Sequence, residues 1–302
     1  MTATSQYSFF VSTAWLAENL GAADVAVIDA TFFLPADKRD AKAEYLEGHI
    51  PGAVFFDIDA IADHETNLPH MLPSPSGFAS AMEELGLGDG MRFVVYDSSN
   101  LQGGARVWWT LRVFGARDIK ILAGGLPRWR AEGRRLEQGH VRRVPRRFTV
   151  NFDSAAVADA EQVQKASETG SAQILDARAT ARFRGVAAEP RPGLRSGHIP
   201  GSLNLPWGEV VAAGEIKPKD EVKILLAEAG VDFARPVITT CGSGVTAAIL
   251  LLALETAGKS GVVLYDGSWA EWGARPDPSP SQGKAVKSAS ANSKIICSSK
   301  KA

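Results

Sequence analysis

The chain has 302 residues, 45% hydrophobic and 22% charged, with 33 Lys and Arg against 34 Asp and Glu for a net charge of -1. Such a balance excludes a disordered or collagen-like chain and a bulk polyelectrolyte. Cys241 and Cys297 are the only cysteines, which excludes a disulfide framework and a four-cysteine zinc site.

Length alone suggests two domains, at about 150 residues each. The first twenty residues hold no Lys or Arg, and Ser12-Thr13 interrupts their apolar stretch, so no secretory signal is expected. Strand-like residues Ala26 to Asp29 (AVID) come first, then Gly48 to Gly52 (GHIPG), then a short apolar segment from Ala53 to Phe56. A second strand, Phe93 to Asp97 (FVVYD), leads through small residues into a helix over Gly104 to Phe114. Another strand, Asp118 to Leu122, ends at Gly124, Gly125 and Trp129.

The same order then recurs. Gln173 to Asp176 (QILD) reads as the first strand, and GHIPG returns at Gly197 to Gly201, 149 positions after its first appearance. Ser202 to Leu205, Val237 to Cys241 (VITTC), a helix over Val245 to Ala257, the strand Gly261 to Tyr265, and Gly267, Trp269 and Trp272 complete the copy. Short β-branched runs alternating with helices predict an α/β fold, a mostly parallel sheet covered by helices on both faces in each copy. The expected division is 1–135, a basic linker at 136–150, a second domain at 151–276, and a disordered tail at 277–302. Seven arginines between Arg130 and Arg147 lack interleaved aromatics, so an exposed connector is expected there and no nucleic-acid partner. The longest apolar run, Ala247 to Leu254, is eight residues and too short to cross a bilayer, so a soluble, cytoplasmic protein is expected.

The segment Thr240-Cys241-Gly242-Ser243-Gly244-Val245-Thr246 carries the chemistry. A strand delivers the cysteine to a glycine-rich turn, and a helix begins at about Val245. Backbone N–H groups and the helix dipole then form an anion cradle around the sulfur, which favours thiolate over thiol. A buried cysteine acting as a small apolar group is the plainer alternative. Phosphate chemistry by a Cys-x5-Arg loop is disfavoured, because Ala247 stands where the arginine would clamp the phosphoryl group. The matching loop of the first copy opens with Asp97, a carboxylate that can neither attack sulfur nor welcome an anion, so that copy is expected to be silent. His49 and His198, inside the two pentapeptides, are read as structural.

The duplicated GHIPG unit and the CGSGVTA loop resemble the tandem rhodanese-like sulfurtransferases, specifically those that take sulfur from 3-mercaptopyruvate, over residues 8 to 276. The resemblance implies two rhodanese-like domains with substrate in the cleft between them, and a persulfide on Cys241 discharged to a thiol, thioredoxin or cyanide. No metal or organic cofactor is implied, and a monomer is expected. It assigns catalytic roles to Cys241, Ser243, His70 and Asp59, with His70 oriented by Asp59 and exchanging a proton through Ser243. It assigns substrate contacts to Arg182 and Arg191, with Gly242, Gly244, Val245 and Thr246 of the loop. Arg184 and Arg195 are read as solvated, and Arg178 as a possible partner of an acid. Thiosulfate-preferring relatives carry basic side chains inside the loop, where this chain has Gly242, Ser243 and Gly244. A thiosulfate sulfurtransferase is the rival reading, and a non-enzymatic sulfur carrier or interaction module a further one.

Overall fold

The computed structural model describes residues 9–34 and 37–275. The proposed tail and Cys297 lie outside the described residues. The first half contains strands β1 (Phe10–Val11), β2 (Val25–Asp29), β3 (Val54–Phe55), β4 (Arg92–Tyr96) and β5 (Ile119–Leu122), side by side in the order β1-β5-β4-β2-β3. The second half contains β6 (Val157–Ala158), β7 (Gln173–Asp176), β8 (Leu203–Asn204), a small antiparallel ribbon of β9 (Val211–Ala212) and β10 (Glu215–Ile216), then β11 (Val237–Thr240) and β12 (Val263–Tyr265). Its main sheet runs β6-β12-β11-β7-β8, the same order position for position. Every neighbouring pair in both large sheets is parallel.

The central strands are apolar on both sides because both faces are covered. Along β4, Phe93 and Val95 enter one core while Val94 and Tyr96 enter another, the alternation a pleated strand imposes. Helices α1 (Thr13–Asn19), α2 (Ala41–Glu47), α3 (Pro75–Glu84), α4 (Gln102–Val113) and α5 (Gly125–Ala131) accompany the first sheet. Helices α6 (Ala160–Thr169), α7 (Thr180–Phe183), α8 (Lys219–Glu228), α9 (Ala247–Thr256) and α10 (Ser268–Trp272) accompany the second. Local signals explain several ends. Asp159 and Gln162 form a reciprocal capping box on α6, and Gly170, at φ +67, closes it in the left-handed conformation.

The helix after the cysteine loop starts two residues later than expected. Val245 and Thr246 still belong to the turn, and the first regular helical residue is Ala247. Its residues from Ala247 to Leu254 are all buried. A helix apolar on every side must be enclosed on every side, and α9 achieves this by packing on β11, β12 and α8 of its own half and on α4 of the other. Ile249, Leu250, Leu251, Leu252 and Leu254 are fully buried, each contributing about 1.5–3 kcal/mol by area. One apolar core therefore runs through both halves. Its rim is pinned by the bidentate pair Arg112–Glu255, at 2.6 and 2.8 Å, and by Arg128–Glu215 at 2.6 Å.

Between the halves, residues 136–150 form no helix or strand but do not stand clear of the first domain. His49 and Glu137 exchange backbone hydrogen bonds, Arg147 O accepts from Asp89 N–H, and Phe148 is buried. Gly86 and Gly88 leave the room: a Cβ on Gly88 would sit 2.6 Å from both Arg146 Cβ and Arg147 O.

His49 and His198 are structural, as their repetition suggested. Each Nδ1 lies 2.8 Å from a carbonyl, of Tyr45 and of Phe183, and each ring stacks on that same residue.

Candidate active site

Cys241 follows the last residue of β11, at the carboxyl end of the second sheet, and is 2% exposed. Parallel sheets gather ligands at this end. The first N–H groups of α10 fix the loop from one side: Trp269 N–H donates to Cys241 O at 3.0 Å and Ala270 N–H to Gly242 O at 2.8 Å. Ser268 Oγ accepts from the N–H groups of Cys241 and Gly244 at 3.2 and 3.1 Å. Among the described residues, no acceptor is found for the N–H groups of Gly242, Ser243, Val245 and Thr246. Open N–H groups at the start of a ten-residue helix are the cradle anticipated from the turn.

Gly244 serves the interior. At φ +77 it is in the left-handed region, and a Cβ there would lie 2.8 Å from Asp266 O and 2.9 Å from Arg106 Nη1. Gly242 serves the mouth, since a Cβ there would come within 3.1 Å of Arg182 Nη2. Its missing side chain lets the guanidinium lie against the loop. Val245 is buried and Thr246 half-buried.

Arg182 is held by Glu189, and its Nε is buried with no protein partner. Glu189 is steadied in turn by Arg178 at 2.8 Å, and Arg178 donates to both oxygens of Asp176 at the end of β7 while lying 4.2 Å over the Trp269 ring. Arg178 is thus the partner of an acid. Arg184 is exposed, as expected. Arg195 corrects expectation: it donates to Trp272 O at 2.8 Å and Gly273 O at 3.3 Å, fastening the end of α10 rather than extending into water.

Arg191 reaches across to the first domain, placing Nη2 3.0 Å from His70 Nε2. Burial lowers its proton affinity, against the pull of Cys241. His70 is 8% exposed, and its Nδ1 lies 2.6 Å from Asp59 Oδ1. These neighbours define the tautomer: a guanidinium only donates, so Nε2 accepts and Nδ1–H faces the carboxylate. That close contact with His70 holds the Asp59 carboxyl below its usual range. Competing groups nearby are occupied locally, Asp57 by the N–H groups of Asp59 and Ala60, and Asp63 by that of Glu65. Ser243 is buried two residues after Cys241, but no hydrogen bond joins it to His70, whose Nε2 faces Arg191. The expected three-membered relay is therefore closed only between Asp59 and His70.

Two residues absent from the sequence reading hold the halves in register here. Arg106 of α4, 2% exposed, donates to Asp266 Oδ1 at 2.6 Å, to Gly244 O at 3.1 Å and to His70 O. Asp266 Oδ2 accepts from Leu72 N–H at 2.8 Å. An arginine inside an otherwise buried helix was the available signal for this clamp.

In the first domain the equivalent loop is closed by its own carboxylate. Asp97, at the end of β4, accepts from Ser99 Oγ, Gly104 N–H and Leu101 N–H at 2.8, 2.9 and 3.1 Å. Burial raises its proton affinity, and those hydrogen bonds oppose the rise.

Comparison with known proteins agrees with this architecture. The rhodanese-like domain model matches twice, at residues 12–132 and 159–275. A 3-mercaptopyruvate sulfurtransferase of Escherichia coli K12 is 49% identical over 271 residues, covering 89% of this chain and 96% of that protein. A mitochondrial thiosulfate/3-mercaptopyruvate sulfurtransferase of Arabidopsis thaliana is 39% identical, covering 88% and 76%. The crystal structure of SseA, the Escherichia coli enzyme described as a 3-mercaptopyruvate sulfotransferase with the rhodanese fold, superposes with a TM-score of 0.82 at 46% identity, covering 87% and 99%. With two matching domains, one sheet order used twice and a cysteine at the end of the second central strand, the chain belongs to the rhodanese-like family as a tandem member.

Proposed function

We propose that this chain is a 3-mercaptopyruvate sulfurtransferase that carries sulfur as a persulfide on Cys241. The observation supporting this most directly is the neutral loop: open N–H groups around the cysteine and no cationic side chain of its own, with Arg182 and Arg191 at its edge and Arg106, beneath Gly244, already paired with Asp266. A compact dianion such as thiosulfate favours cations within the loop. Mercaptopyruvate carries its carboxylate and ketone away from sulfur, where two arginine forks can receive them.

In the proposed cycle the Cys241 thiolate attacks the substrate sulfur, the carbon–sulfur bond breaks, and its electron pair leaves as pyruvate enolate. The substrate thiol proton passes to the enolate carbon. His70 Nε2, an acceptor in the tautomer described above, suits this transfer once the substrate carboxylate draws Arg191 to itself. Ser243 is proposed as the hydroxyl between them, and Gly242, Gly244, Val245 and Thr246 as the backbone around the bound sulfur. The persulfide anion rests against the open N–H groups until a thiol acceptor, a small thiol or thioredoxin, removes the outer sulfur. A monomer is the proposed form. No helix among the described residues is long and apolar enough to cross a membrane, and a cytoplasmic setting suits a thiolate that must return to its reduced state.

Comparing kcat/KM for mercaptopyruvate and thiosulfate on one preparation tests the donor. A preference for mercaptopyruvate is expected, and equal or reversed preference would overturn the assignment. A sulfur atom added to Cys241 by the donor and removed by a thiol, followed by mass, separates this enzyme from a passive carrier.

A further inference from the structure

We propose that Ser268 is the positioning residue that determines which backbone groups of the cysteine loop face the reacting sulfur. The proposal rests on the persulfide reading of Cys241. Ser268 is fully buried, and its φ is +49, a conformation that residues with a Cβ seldom occupy. The equivalent position in the first domain is Gly125, at φ +56, followed by a residue whose N–H likewise meets the loop carbonyl: Leu126 to Asp97 there, Trp269 to Cys241 here. A glycine thus fits this turn without strain, yet the second copy holds a serine.

The hydroxyl supplies the reason. Its proton goes to Tyr265 O at 2.8 Å, so the oxygen is left to accept. It accepts from the N–H groups of Cys241 and Gly244, the two ends of the turn, and lies 3.3 Å from Thr240 Oγ1. One buried atom thereby draws these N–H groups beneath the loop, and the groups between and after them remain open. Removing the hydroxyl leaves two buried donors without an acceptor, and the turn must rearrange to satisfy them. In the first domain no such hydroxyl is needed, because Asp97 itself collects the loop donors.

The test compares Ser268→Ala and Ser268→Gly with the parent chain. Glycine is the residue the first domain already uses in this turn, so the second variant retains a backbone the fold accepts. Alkylation of Cys241 by iodoacetamide is followed across pH without substrate, with the modified peptide identified by mass so that Cys297 does not contribute. Both variants are expected to move the midpoint of the alkylation curve upward and to slow the neutral-pH rate by about tenfold. With mercaptopyruvate, kcat should fall by about tenfold or more while KM stays within about threefold, because Arg182 and Arg191 are untouched. Parent-like profiles in both variants would overturn the proposal. So would a parent-like glycine variant beside an impaired alanine variant, which would assign the effect to backbone strain. If the parent itself fails to turn over mercaptopyruvate, the sulfurtransferase reading falls, and the alkylation profiles still decide the role of Ser268.

Discussion

The loop after β4 and the loop after β11 occupy the same place in two copies of one sheet, and they differ in what occupies the centre. At the first, the Asp97 carboxylate is bound by donors of its own loop and of α4. At the second, Cys241 follows the strand, Ser268 collects the donors at Cys241 and Gly244, and those of Gly242, Ser243, Val245 and Thr246 stay open. One turn can thus be a finished structural knot or an open set of donors, depending on whether its anion is built in. The finished knot is no idle remnant, because the first domain also supplies Asp59, His70 and Arg106 to the cleft.

The sharpest break of this comparison is Cys241→Ser. Turnover should fall by about 10^4-fold or more, with circular dichroism and thermal unfolding unchanged; retention of more than a few per cent of activity would remove the thiolate from the mechanism.

A second contrast lies one strand over, at the ends of β2 and β7. Asp176 is paired with Arg178, whereas Asp29 has Thr31 in the corresponding place, and burial pushes its carboxyl up to about 6. Asp176→Asn should cost about 3–5 kcal/mol by leaving a buried guanidinium short of its carboxylate, and should weaken substrate binding through Glu189 and Arg182. Asp29→Asn should do the opposite. With the folded value above the unfolded one, the stability associated with protonated Asp29 is complete below about pH 4 and lost as pH rises through about 6. The variant should therefore match the parent at pH 4 and exceed it by up to about 3 kcal/mol at pH 8. Denaturant midpoints measured at both values check the sign, and a gain at pH 4 would refute this account.

The mildest test applies one kind of truncation to both loops. Asp97→Ala removes the acceptor of two backbone N–H groups and should lower stability by about 2–3 kcal/mol. Cys241→Ala frees no donor and should cost less than about 1 kcal/mol. Equal losses in denaturation would mean that both loops are knots.

Much of this was legible in the residues. GHIPG twice, with β-branched runs in the same order, revealed two copies of one α/β unit, and eight of the twelve described strands fall within a few residues of those expected, while the edge strands β1 and β6 and the β9–β10 ribbon were not foreseen. Strand, glycine turn and apolar helix around Cys241 marked the cradle. What escaped were contacts between the copies. Nothing near Arg106 in sequence names Asp266 as its partner, and nothing near Arg195 points to the end of α10. Even the late start of α9 is nonlocal, since Gly244 takes its left-handed form against Asp266 and Arg106. Ser268 was visible only by aligning the two copies, where Gly125 stands opposite it. Repeats reveal equivalence well and adjacency poorly, because adjacency depends on how the copies dock.

The docking of α9 on α4 bears on whether either copy can stand apart from the other. A helix apolar around its whole circumference must be covered on every side, and α4 of the other copy covers one of them. Cutting away the first copy would bare the face that α9 lays on α4, so the second copy depends on the first for burial, whatever the chemistry of the first loop.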